Sequence, residues 1–143
     1  MQVREIMTAT PACCTPSTNL QTVARLMLDY NCGAIPVVEN QDNRRLVGIV
    51  TDRDIACRAI AKGQNPAGLT AGEFMTSPVA SVKDETAVQE CCRLMEEKKV
   101  RRIPVVDANN SCCGIVAQAD IAKTAPAPEV AEVVREISLA GDW

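Results

Sequence analysis

The chain has 143 residues, 47% of them hydrophobic and 23% charged, a balance that excludes a disordered segment. A net charge of -3 gives no field to attract a phosphate backbone, and no run reaches the 18 apolar residues of a membrane span, so neither nucleic acid nor membrane is an expected partner. Histidine is absent, no Gly-x-x-x-x-Gly-Lys loop occurs, and no nucleophile has a recognisable base, so no catalytic residue is assigned and no enzyme is expected.

Taken in chain order, the first landmark is Met7-Thr8-Ala9-Thr10-Pro11. Leu20, Val23, Ala24 and Met27 then fall at i, i+3, i+4 and i+7, the spacing of one helix face, and Asn31 and Gly33 stop that helix. Two β-branched runs follow, 35–38 and 46–50, separated by turn residues at 40–43 that predict a hairpin. Pro36 cannot donate to a ladder and is expected at a strand start or an edge, as is its counterpart Pro104. A second helix is predicted over 52–62, ending at Gly63. Residues 64–72 read as a turn-rich linker in which Thr70-Ala71-Gly72-Glu73 has the form of a capping box opening a short helix.

From Met75-Thr76 the pattern returns, 68 positions after Met7-Thr8. Val88, Cys91, Cys92 and Met95 repeat the helix face, with Asp84 and Thr86 as candidate caps. Ile103-Pro104-Val105-Val106 repeats Ile35-Pro36-Val37-Val38 at the same offset, and Gly114-Ile115-Val116 repeats Gly48-Ile49-Val50 at offset 66. A shorter helix starts at Gln118. The organisation is therefore repeat 1 over 1–66, repeat 2 over 67–125 and a tail over 126–143. In the tail, Val130, Val133, Val134 and Ile137 mark an amphipathic helix that must fold back on its own chain or dock on another, with Trp143 as an anchor for either contact.

This ordered, duplicated set resembles a CBS-domain pair, the module named after cystathionine β-synthase. The likeness covers residues 1 to about 124 and rests on the two Met-Thr openings, the two Ile-Pro-Val-Val runs and Gly48-Ile49-Val50-Thr51-Asp52-Arg53-Asp54. It implies an α/β (α+β) fold of two pseudo-symmetric β-α-β-β-α repeats, and a regulatory function without chemistry: sensing AMP, ADP or ATP in a cleft between the repeats, with S-adenosylmethionine ranked behind these and no cofactor required. By the resemblance Asp54 takes the ribose hydroxyls, a task suited to an acceptor-only carboxylate, and Thr51 lies near the phosphate at a helix start. Arg53, Arg101 and Arg102 are phosphate candidates, arginine offering planar bidentate donors. Thr10, Pro11, Ala12, Ile35 and Pro36 would wall the base. The second copy reads Gly114-Ile115-Val116-Ala117-Gln118-Ala119-Asp120, keeping the carboxylate and losing the hydroxyl. Its cleft, with Asp120, Ser77, Pro78, Val79, Ile103 and Pro104, is expected to be weaker. A homodimer and an unidentified regulated protein are the implied partners.

The bland reading of Thr51-x-x-Asp54 is a capping box that binds nothing. Two other functions stay open beside nucleotide sensing: a ligand-free dimeric interaction or stress module, and a thiol-based redox or metal sensor. Against the thiol sensor, Cys91, Cys92, Cys112, Cys113 and Cys32 align with aliphatic residues of the sister repeat, as expected of small buried hydrophobes. Cys13, Cys14 and Cys57 align with Ala80, Ser81 and Lys123 and are less clearly core, and the first two are the candidates for redox sensitivity. The eight cysteines include no Cys-x-x-Cys, no metal site is assigned, and no leader precedes a hydrophobic run, so reduced thiols and a soluble, cytoplasmic chain are expected.

Overall fold

The structure, a computed structural model, describes residues 1–139. Trp143 lies outside the described residues. The fold is mixed α/β and contains both repeats. Strand β1 (Thr8–Ala9) is followed by helix α1 (Leu20–Tyr30), a hairpin of β2 (Ala34–Val38) and β3 (Leu46–Thr51), and short helix α2 (Ala71–Phe74). The second repeat, which opens with α2, also supplies β4 (Val82–Lys83), α3 (Val88–Lys98), β5 (Arg102–Val106), β6 (Cys112–Ala117) and α4 (Gln118–Thr124), and the tail forms α5 (Ala127–Ser138). No described helix is long and apolar enough to cross a membrane.

Helix α1 buries Leu20, Val23 and Met27, the expected face, and ends where Asn31 turns left-handed at φ 50°. Asn tolerates that conformation because its short polar side chain can bond locally. Its start is capped by Asn19, whose side chain accepts the Thr22 N–H at 2.8 Å. Helix α3 departs from expectation. Neither Asp84 nor Thr86 caps it; its first N–H, that of Val88, is accepted at 2.9 Å by the carbonyl of Met1. The N-terminal segment thus supplies the cap, which releases the local sequence from providing one.

The same exchange recurs throughout the chain, because each opening segment is docked on the other repeat. One compact unit comprises Met1–Thr10, Ala80–Ala108 and Cys113 onward; the other comprises Pro11–Val79 and Asn109–Cys112. In the first, Val3 N–H bonds to the Thr86 carbonyl at 2.8 Å and β1 pairs antiparallel with β6, Thr8 opposite Ile115. In the second, Ala71 N–H bonds to the Thr18 carbonyl at 2.7 Å and Thr76 bridges Ile49. The first N–H of α1, on Leu20, is accepted by Leu69 at 2.9 Å, as that of α3 is by Met1.

The first unit carries a four-stranded sheet in the order β1-β6-β5-β4, with α3 and α5 packed together over a core that includes Val3, Met95, Ile103, Ile121 and Val133. The tail therefore folds back on its own chain, with Val133 and Ile137 buried; Val134, expected on the same apolar face, is exposed. Pro104 is the third residue of β5, an interior strand, not a strand start or an edge. Strand β4 pairs only with Val105 and Val106, so the missing proline N–H faces no ladder partner there. The second unit holds the β2–β3 hairpin, on which α1 packs around Leu20, Val23, Ile35, Val37 and Val50. Pro36 is the middle residue of β2, opposite Ile49.

Glycine is required where each opening methionine crosses a hairpin. A Cβ on Gly48 would stand 2.6 Å from the Met75 sulfur and 3.0 Å from the Thr76 carbonyl oxygen. A Cβ on Gly114 would meet the Met7 sulfur in the same way.

Candidate functional site

Thr51 closes β3, and the chain turns at once into a helical run whose segment Asp54–Ala59 takes the wide π register before tightening to a 3-10 turn over Ile60–Lys62 and ending at Gly63, φ 78°. The predicted bounds match; the π register was not foreseen. It places Ile55 and Ala59 in the core and leaves Asp54 at the mouth of the turn. There the capping box is formed in both directions: Thr51 N–H donates to Asp54 Oδ2 at 2.9 Å, and Asp54 N–H donates to Thr51 Oγ1 at 3.2 Å. The other carboxylate oxygen, Oδ1, lies 3.6 Å from Arg58, with 16% of the Asp54 side chain exposed. A carboxylate offers about four lone-pair sites, so the cap and the ion pair leave acceptor capacity. The threonine hydroxyl accepts here and keeps its own proton to donate.

At the equivalent place in the second repeat, Ala117 N–H donates to Asp120 Oδ2 at 2.8 Å. With no hydroxyl on Ala117, only half of the box is made. The backbone clamp beside each box is conserved between the repeats, Asp52 N–H to the Gly33 carbonyl and Gln118 N–H to the Arg101 carbonyl, both at 2.9 Å. Arg101 is thereby held at the start of α4, in the unit containing Asp120, exposed and with its neighbour Arg102 half-buried. Neither forms an ion pair with Glu96 or Glu97, or with any other described residue.

The remaining candidates divide between the same units. Pro11, Ala12, Ile35 and Pro36 share the unit of Thr51, Arg53 and Asp54; Thr10, Ile103 and Pro104 share that of Asp120, and Ser77, Pro78 and Val79 belong with Asp54. Ile35 and Ile103 are wholly enclosed core residues, Pro11, Pro36 and Pro104 are buried, and Thr10, Arg53, Ser77 and Pro78 are exposed. Thr10 has φ 48°, unusual for a β-branched residue. Two arginines escaped the sequence reading. Arg58 reaches Asp54 and also donates to the Phe74 carbonyl at 2.8 Å, a contact signalled only by its i+4 spacing. Arg44 reaches back to Pro11 and Cys13, with no signal in its surroundings.

The thiols follow the structure more than the alignment. Cys91, Cys92 and Cys112 are buried and Cys113 half-buried, as expected, but Cys32 is exposed and donates to the Ala34 carbonyl just beyond the left-handed Asn31. Cys13 and Cys14 are buried, while Cys57 is exposed. Burial pushes the Cys91 thiol up to about 12 and that of Cys92 up to about 11.

Compared with known families, residues 3–59 and 71–137 both match the model of the CBS domain. The chain belongs to the CBS domain family. Among CBS-domain relatives, hypoxic response protein 1 of Mycobacterium tuberculosis is 36% identical over 134 residues, covering 94% of this chain and 92% of that protein. Its crystal structure, with two coordinated zinc ions, superposes with a TM-score of 0.77 over 88% of this chain and 100% of that one. CBSX2 from Arabidopsis thaliana, solved in complex with AMP, matches at 30% identity and a TM-score of 0.73 over 87% of this chain and 95% of that one. The CBS pair of MJ0100, solved with 5-methylthioadenosine and S-adenosyl-L-methionine, matches at 27% identity and 0.76, over 86% and 94%. Among the described residues, no three His, Cys, Asp or Glu side chains come together as a metal donor set.

Proposed function

We propose that this CBS-domain protein is a regulatory module that performs no chemistry and binds an adenine nucleotide, AMP, ADP or ATP, through the Thr51–Asp54 turn. The carrying observation is that turn itself: a carboxylate fixed by a backbone N–H, with one oxygen held only by a long ion pair, in a family whose solved relatives include complexes with adenosine-containing ligands. Asp54 would receive the ribose diol and the Thr51 hydroxyl would donate to phosphate, with Arg53 at the same helix start. Asp120, lacking the hydroxyl partner, forms the weaker site, and Arg101 and Arg102 are further phosphate donors for the nucleotide. Occupancy would be passed to a protein partner by favouring one arrangement of a cytoplasmic homodimer, which requires tighter binding to that arrangement.

Thermal unfolding with AMP, ADP, ATP and S-adenosylmethionine tests this. A ligand at 100 times its Kd adds about 2.7 kcal/mol to the native state. Asp54→Asn keeps an acceptor for the Thr51 N–H and is expected to unfold as the parent does while losing the nucleotide shift; Asp120→Asn should retain most of it. Failure of all four ligands would remove the nucleotide reading, and the reverse order of the two variants would move the site to Asp120.

A further inference from the structure

Cys13 sits in a small polar assembly that the nucleotide reading does not use. Arg44 Nη2 donates to the Cys13 sulfur at 3.1 Å and to the Pro11 carbonyl at 2.9 Å, while its Nε donates to the Cys112 carbonyl at 3.4 Å. The Cys112 N–H returns a bond to the Arg44 carbonyl at 2.8 Å. Arg44 therefore joins two cysteines 99 residues apart in sequence within one compact unit, its guanidinium on the sulfur of Cys13 and on the backbone carbonyl of Cys112.

The backbone of Arg44 shows that the placement is particular to this repeat. It has φ 54°, and the residue at the same turn of the other hairpin, Asn110, has φ 64°. Asparagine is suited to that left-handed conformation and arginine is not, so the surroundings must hold Arg44 there. Its three side-chain bonds do so.

We propose that Cys13 and Cys112 are a peroxide-responsive pair in which Cys13 is oxidised first and Cys112 closes an intramolecular disulfide. The Cys13 sulfur attacks a hydroperoxide; the S–O bond forms, the O–O bond breaks, and the departing alkoxide takes a proton to leave as alcohol or water. Cys112 then attacks the sulfenic sulfur; the S–S bond forms, the S–O bond breaks, and water leaves with the Cys112 proton. Two thiols give up two electrons in all, and the peroxide accepts both. The hydrogen bond from Cys112 and the charge of Arg44 hold the Cys13 thiol below its ordinary range against the opposing effect of burial, which favours the reactive thiolate. The adjacent Cys14 is pushed up to about 12 by burial and stays protonated. Because only 8% of Cys13 is exposed, the fitting oxidant is small: hydrogen peroxide in preference to glutathione disulfide.

The test is oxidation of the full chain with one equivalent of hydrogen peroxide, alkylation of the remaining thiols and peptide mapping without reduction. The expected product is a Cys13–Cys112 linkage, with the exposed Cys32 and Cys57 still alkylated. Cys112→Ser should arrest the reaction at a Cys13 sulfenic acid trapped by dimedone. Arg44→Gln should slow Cys13 oxidation by about tenfold and raise the pH at which its thiolate absorbance appears, the direction expected when a cation beside a thiol is removed. First oxidation at Cys32 or Cys57, a Cys13–Cys14 bond, or an unchanged rate and thiolate titration in a natively folded Arg44→Gln would each overturn the proposal. None of these outcomes depends on nucleotide binding.

Discussion

Glu96 shows how one side chain's surroundings can work against the fold. It lies on α3 beneath α5, where burial and the carboxylates of Glu132, Glu136 and Glu129 raise its pKa, with Lys99 alone opposing. A carboxyl whose folded pKa exceeds its unfolded one binds more protons in the native state, so stability falls as pH rises through the interval above the ordinary value of about 4.3. Glu96→Gln removes that loss. It is expected to raise stability at pH 7 by about 0.2–1 kcal/mol, the range for surface charge interactions, and to make no difference below pH 4. Urea denaturation at the two pH values, with and without salt, checks both the sign and the screening. At this scale the sequence was partly legible. The capping spacing of Thr51 and Asp54 forecast a real pair of hydrogen bonds, and the alignment of Cys91 and Cys92 with Val23 and Ala24 forecast their burial. Cys32 was misplaced because its aliphatic counterpart, Val100, follows a helix end whose exposure no periodicity reports.

At the scale of elements, the repeated Met and Gly of each copy have a steric meaning. The methionine of one opening segment lies flat against the glycine of the hairpin it docks on, and any Cβ would push it away. Gly48→Ala is expected to cost about 1–3 kcal/mol, the usual range for overpacking. Gly114→Ala should cost less, because its Cβ meets only the flexible end of Met7, whereas that of Gly48 also meets the Thr76 backbone. Chemical denaturation of the two variants, with Met75→Ala added to Gly48→Ala as a rescue, ranks them. Equal costs would show that the Thr76 carbonyl does not limit the fit. Hairpins, their turns and most helix-face positions were readable from spacing, since those signals are local, the exposed Val134 being the exception. The π register after Thr51 and the seat of Pro104 were not, because both depend on which neighbours the strand and helix meet.

For the whole molecule, the exchanged opening segments make the first ten residues part of the second repeat's core. Val3 is completely buried among Val88, Cys91 and Ile103, although it precedes them by more than 80 positions. Val3→Ala should therefore cost about 2 kcal/mol, and hydrogen exchange should show the loss at α3 and β6 and leave the β2–β3 hairpin protected. Loss at β2–β3 instead would refute the exchange. The sequence by itself determined the duplication, the type and order of the elements, the aliphatic core and the family, because each of these is written in short-range spacing and in motifs that occur twice. Only the tertiary structure decided which opening segment docks on which hairpin, that Met1 caps α3, and that Arg44 meets Cys13. The physical reason is that the two copies offer nearly the same Met-Thr segment to nearly the same hairpin, so local chemistry is indifferent between pairing with itself and pairing with its twin; the choice is made by packing across some 68 residues of chain.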